Sequence, residues 1–237
     1  MIPVASLFDY GLSKRSEDNG TRHYLTPDGH KVPSVTTILS KSKDMTHLLE
    51  WRKRIGDAAA DQITKESTGL GSMMHSHLEC WIKQEERPGG TNVGRVMAKQ
   101  MADVIIDQGL SNVSEVWGIE VPLRYEQLWA GTTDLVGVYK GQEAIMDFKT
   151  TNKPKKLDHV QDYFLQLTAY IMAHNQTFGT NIQQGVIFMV SRDLSYQEFV
   201  LEPHQLEEYE KLWLDRLMMY YDKHPMPSLI SNESISS

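Results

Sequence analysis

An acid and a base two residues apart, Asp147 and Lys149, sit inside the run AIMDFKTT (144–151), which is otherwise apolar or β-favouring. In a strand, residues i and i+2 project from one face, so the carboxylate and the ammonium would stand side by side. A structural ion pair and an active site both satisfy that arrangement. Ile145, Met146 and Phe148 around the pair argue for burial, where an unpaired charge is costly. The preceding segment AGTTDLVG brings a second acid, Asp134. Hairpin partners on one face have Cβ atoms roughly 5 Å apart, so a register placing both acids on that face brings them together. Two carboxylates that close repel unless a cation lies between them, because one would otherwise protonate. Oxygen donors of this kind suit a hard divalent ion such as magnesium or manganese. Gly131, three residues before Asp134, is where a missing side chain would let a substrate approach.

The elements that must position these residues follow from periodicity. The first 30 or so residues are polar and turn-rich, with Pro27-Asp28-Gly29 favouring a tight reversal. Ser34 precedes VTTIL as the N-cap of a short helix. Apolar spacing of Leu48, Leu49, Trp51, Ile55, Ala59 and Ile63 predicts a helix over 45–65. Further helices are expected over 69–86 and, beyond the Pro-Gly-Gly break at 88–90, over 92–108. The pattern then changes to period two, predicting strands over 115–123, 129–139 and 144–151, the last two joined by the KGQE turn. A helix over 158–175, strands over 185–191 and 196–202, and a helix over 204–223 complete a mixed α/β plan.

The chain is 237 residues long, 40% hydrophobic and 23% charged, as expected of a globular fold. No apolar stretch approaches the roughly 20 residues that span a bilayer, so no membrane partner is expected. A single cysteine, Cys80, excludes an internal disulfide and a four-cysteine zinc or iron–sulfur site. A net charge of −7 argues against a protein that coats nucleic acid non-specifically, while leaving room for a local basic groove. Neither a secretory signal nor a transit peptide is visible at the N-terminus. A cytoplasmic setting, in a bacterial or phage-infected cell, is therefore expected ahead of a mitochondrial one.

GTTDLVG, then AIMDFKTT, then QLTAY on the following helix, with GSMMH upstream, resemble the RecB-like branch of the PD-(D/E)XK nucleases. VPSVTTIL and GVIFMVSRDLSYQEF extend the likeness to the mitochondrial genome maintenance exonuclease group and similar phage exonucleases, over roughly 30–223. The resemblance implies a restriction-endonuclease-like core, a central mixed β-sheet flanked by helices, with an N-terminal helical arch. It divides the chain into an N-terminal segment and arch (1–68), a nuclease core (69–224) and a flexible tail (225–237). It assigns Asp134, Asp147, His75 and the carbonyl of Phe148 as metal ligands, Lys149 as the catalytic lysine, and Gln166 and Tyr170 as catalytic-site neighbours. Residues four apart share a helical face, as that last pairing requires. His77, about 200° around the helix from His75, cannot share its site, and reads as a surface or interhelical residue. Glu79, on the His75 face, and Glu120, on the preceding strand, are candidates to support the ligands from behind or to be structural.

The implied activity is hydrolysis of DNA phosphodiester bonds with one or two magnesium or manganese ions and no iron–sulfur cluster. The substrate implied is single-stranded DNA cut from free ends to 5′-phosphate products, in DNA replication, recombination, repair or phage DNA metabolism. Other replication or recombination proteins are conceivable partners. Ser34 and Thr36 would lie near the DNA backbone, and Lys153, Lys155 and Lys156 of the KPKK loop would grip phosphates, with WRKR (51–54) a second basic candidate. A double-strand-degrading recombination exonuclease, a structure-specific endonuclease and a non-catalytic DNA-binding module are the competing readings.

Overall fold

The computed structural model describes residues 2–11, 14–18, 21–26 and 29–226. Pro27 and Asp28 of the expected reversal, and residues 227–237 of the expected tail, lie outside the described residues. Three short strands open the chain, β1 (Lys14–Asp18), β2 (Thr21–Leu25) and β3 (Lys31–Pro33), forming an antiparallel sheet in that order. Helices α1 (Val35–Lys41), α2 (Thr46–Ile55), α3 (Asp57–Lys83) and α4 (Val93–Gln108) follow. Then come β4 (Val113–Tyr125), β5 (Trp129–Tyr139), β6 (Gln142–Thr151), α5 (Gln161–Phe178), β7 (Gln184–Ser191), β8 (Tyr196–Leu201) and α6 (Pro203–Tyr221).

Strands β4 to β8 form a five-stranded sheet in sequential order, antiparallel except where β6 meets β7. The β5–β6 hairpin turns on Lys140 and Gly141, both at positive φ (47° and 81°). Such two-residue turns match the right-handed twist of the strands they join. The parallel β6–β7 pair needs a long crossover, and α5 supplies it. Each face of the sheet is covered by helices, giving three layers. On one side Met74 and Leu78 of α3 and Met101 and Ile105 of α4 pack on Met146 and Phe188. On the other, Ile38 of α1, Phe164 and Leu167 of α5 and Trp213 of α6 pack on Val136, Ile145 and Ile187.

The α/β expectation holds, with two local corrections. The turn-rich N-terminus carries a sheet of its own, which alternation over such short polar strands did not reveal. The helices expected over 45–65 and 69–86 are cut differently: α2 ends at Gly56, at φ +85°, and α3 then runs unbroken through residues 66–69. Gly69 and Gly71, which read as the start of a helix, lie inside α3. A Cβ on Gly71 would sit 3.5 Å from Thr150 Oγ1 of β6. Residue 68, the expected domain junction, also lies within α3. Of the residues whose spacing predicted that helix, Leu48, Leu49 and Ile63 are exposed, and among the described side chains of 45–65 Ala60 is fully buried.

His174 of α5 is buried beside Phe8, Tyr10 and Phe178, with its ring nitrogens 3.1 Å from the Tyr10 hydroxyl and 2.8 Å from Thr180 Oγ1. Burial pushes its pKa down to about 4. An unfolded histidine titrates near 6.5, so between these values the unfolded chain binds the proton that the folded chain refuses. Stability is then expected to fall as pH drops from about 6.5 towards 4. Thermal melts at pH 7 and pH 5 of the wild type and of His174→Asn check this. The variant starts lower and loses less; equal losses would contradict it.

Candidate active site

The β5–β6 ladder runs from Tyr139↔Gln142 to Leu135↔Met146 and stops there. The next pair in that register is Asp134 opposite Asp147, the two acids that the sequence placed on neighbouring strands. From this point the strands part. Asp134 Oδ2 accepts the Phe148 amide at 2.6 Å, and Thr133 Oγ1 donates to the Met146 carbonyl at 3.3 Å. Beyond the fork β5 stays paired with β4 as far as Trp129, while β6 stays paired with β7 as far as Thr151. Side chains thus take over backbone groups that the ladder gives up, which is what keeps buried amides satisfied at an opening in a sheet.

Strand alternation puts Asp147 and Lys149 on the face of Ile145, towards α5. Lys149 Nζ pairs with Asp147 Oδ2, and lies 5.3 Å from the centre of the Tyr163 ring. From α5, Gln166 Nε2 donates to Asp147 Oδ1 and to the Tyr170 hydroxyl, both at 3.4 Å. From α3, on the opposite side of the sheet, His75 Nε2 donates to the Phe148 carbonyl at 2.9 Å, while Nδ1 is 3.4 Å from Asp134 Oδ1. Every residue that the sequence nominated as catalytic or as a metal ligand therefore converges on this fork.

Glu120 joins them from β4. That strand pairs Ile119↔Leu135 and Val121↔Thr133, so Glu120 stands beside Asp134, and its own φ is +51°. Ligand atoms of His75, Glu120 and Asp134 all lie within 4.8 Å of one another. A histidine nitrogen among carboxylate oxygens is a donor set that fits a divalent cation such as magnesium or manganese. Glu79 reaches Lys83 at 2.6 Å, while the His75 ring is held by Asp134 and Phe148. His77, read as a surface or interhelical residue, is 2% exposed and so not at the surface, and lies on the side of Arg87 and Asp103.

The electrostatics record the crowding. Burial, then the neighbouring Asp134 charge, push Asp147 up to about 6. Burial also works against the Asp134 charge, but His75, Lys149 and the Phe148 amide outweigh it and hold that carboxyl below its usual range. His75 is lifted to about 9, because the Asp134 carboxylate overrides the desolvation that would lower it. Burial, with Asp134 behind it, moves Glu120 to about 7.

A cleft of about 770 Å³ opens over the fork. Ser34 and Thr36 line it, and Ser34 also caps α1 by accepting the Thr37 amide at 3.0 Å. Of the KPKK loop, Lys155 lines a small adjoining cavity with Arg192, whereas Lys153 and Lys156 are exposed outside both. Arg52 of WRKR, on α2, is held by Asp57 and Asp61 of α3, each at 2.9 Å. Arg15, Arg22 and Tyr24 of the N-terminal sheet also line the cleft, and sequence reading missed them. Asn19-Gly20, a hairpin signal between two short polar runs, was the available clue.

No family model matches the chain. The mitochondrial genome maintenance exonuclease 1 of Mus musculus is 29% identical over 210 residues, covering 82% of this chain and 60% of that protein. Its counterpart in Homo sapiens is 28% identical over 204 residues, covering 81% and 59%. The chain resembles the PD-(D/E)XK nucleases. It spans about three-fifths of the length of the curated relatives it matches. A crystal structure of a candidate exonuclease from Eubacterium rectale superposes with a TM-score of 0.48 at 14% identity, covering 69% of this chain and 70% of that one.

Among the details of this nuclease-like site, Gly131 has a role different from the one expected. A Cβ there would lie 2.5 Å from Tyr170 Cε1 and 2.8 Å from its hydroxyl, so the missing side chain makes room for the tyrosine and not for substrate. Gly131→Ala is expected to cost about 1–3 kcal/mol by overpacking. The same change shifts Tyr170 off Gln166, so activity should fall in the folded variant as well. Denaturant unfolding at unchanged m-value checks the first effect, and wild-type stability would contradict it.

Proposed function

We propose that the chain is a metal-dependent DNA exonuclease acting on single strands from free ends and leaving 5′-phosphates. The observation that carries this reading is the fork itself, where Asp134, Asp147, His75 and the Phe148 carbonyl meet beside Lys149 at the floor of an open cleft. The named relatives, which are exonucleases, support the same direction.

A divalent ion held by Asp134, Asp147, His75 and the Phe148 carbonyl would supply Lewis-acid polarisation of the scissile phosphate and a more acidic bound water. The chain's own groups do the rest. Gln166 orients the Asp147 carboxylate, and Tyr170 holds Gln166 in turn. Lys149, paired with Asp147 and facing the cleft, is placed to donate to a phosphate oxygen and stabilise the charge that develops there. The ion pair with Asp147 is compatible with both sequence readings of Lys149, since substrate phosphate can compete for the same ammonium. Glu120, beside Asp134, adds a further carboxylate donor or proton acceptor at the same edge.

The reading leads to a direct expectation. Lys149→Ala should lower magnesium-dependent cleavage by at least about 10²-fold, as removal of a charge-stabilising donor typically does, while leaving the fold intact. Digestion of 5′- and 3′-labelled single and double strands over time reports rate, polarity and strand preference together. Near-normal cleavage by the variant would sink the assignment of Lys149. Equal cutting of circular and linear single strands would replace the exonuclease reading with an endonuclease one.

A further inference from the structure

The cleft does not end at the fork. Two further cavities, of about 460 and 300 Å³, continue it beneath the N-terminal segment. The first shares Arg15, Tyr24, Glu120 and Thr132 with the cleft, and the second shares Tyr10, Gly11, Tyr24 and Pro122 with the first. Tyr24 lines all three, anchored by its hydroxyl 3.2 Å from Thr132 Oγ1. The wall is the face of the small β1–β2–β3 sheet. Arg15 lies opposite Tyr24 in the β1–β2 register, and Arg22 precedes Tyr24 by two, so all three project from one face.

We infer that this wall is a strand-holding subsite: Arg15 and Arg22 bind successive phosphates of a single strand whose reacting end lies at the fork. Tyr24, buried against Val32 and Ala130, fixes the strand that carries Arg22. The inference rests on the proposed function and names the part of the chain that grips the substrate.

Three observations carry it. Neither guanidinium forms an ion pair among the described residues. Glu17 stands opposite Arg22 in the register without pairing to it, and lies outside the cleft wall. A chain of net charge −7 nonetheless directs these two arginines into the same cleft as its buried acids, an arrangement without value for solubility. Finally, cationic side chains along an open groove are the backbone-tracking part of sequence-tolerant single-strand binding. The exposed Lys153 and Lys156, by contrast, face solvent beyond the cleft.

Arg15 sits on the edge strand β1, so its replacement disturbs little of the fold. The test measures anisotropy of a fluorescein-labelled oligothymidylate against full-length protein in EDTA, which withholds the metal so that the probe is not cut. Binding is followed over a range of potassium chloride for wild type, Arg15→Gln, Arg22→Gln and the double variant, each checked by circular dichroism and melting temperature. Neutralising one phosphate contact on a single strand contributes about 0.7 to the slope of log K against log salt. Each single variant is therefore expected to shallow the slope by about 0.7, and the double by about 1.4, with weaker binding at every salt concentration. Wild-type slope and affinity in Arg15→Gln and in a folded double variant would overturn the inference. A wild type that neither binds oligothymidylate nor cuts it in magnesium would instead overturn the proposed function, so the two failures are distinguishable.

Discussion

Two buried carboxylates on neighbouring strands, Asp134 and Asp147, stand where the β5–β6 ladder would have paired them. Neither can be charged there at low cost unless positive charge and hydrogen-bond donors surround it. The rest of the site answers that constraint. Lys149 pairs with Asp147, the Phe148 amide and His75 turn to Asp134, and Gln166 reaches Asp147 from the far helix. The residual strain appears as an Asp147 pKa pushed up to about 6 and a His75 pKa lifted to about 9. The fork in the sheet is thus a charged opening, and its His75, Glu120 and Asp134 form a group that could hold a metal ion.

Positioning comes from both faces of the sheet at once. Helix α3 brings His75 from one side and α5 brings Gln166 and Tyr170 from the other, while their apolar faces build separate cores. Close approach depends on a missing side chain at one contact: Gly131 gives the Tyr170 ring its place. A site assembled across a sheet in this way is rigid because each ligand rests on a packed element, which is what preorganised catalysis needs.

Much of this was legible in the sequence. Period-two patterning located β4, β5 and β6, and the D-x-K spacing with Asp134 on the neighbouring strand identified the charged pair before any geometry was known. The helix-borne His75 and the Gln166/Tyr170 pair became readable through resemblance, because residues that meet only in space leave no local pattern. Three features escaped. Helix α3 was split because Gly69 and Gly71 look like a boundary, whereas both lie inside one continuous helix. The N-terminal sheet was missed because its strands are short and polar, so alternation carries little contrast. Gly131 was read as an opening for substrate, since the sequence does not show that a tyrosine 39 positions on fills the space.

The central claim is that the fork binds a divalent cation through the two acids and His75. Calorimetric titration of the full chain with manganese, alongside Asp134→Asn, tests it most directly. Saturable binding by the wild type, with proton release as His75 gives up its proton, and its loss or strong weakening in the folded variant, is the predicted result. Equal binding by both proteins, or none by the wild type, would contradict the account.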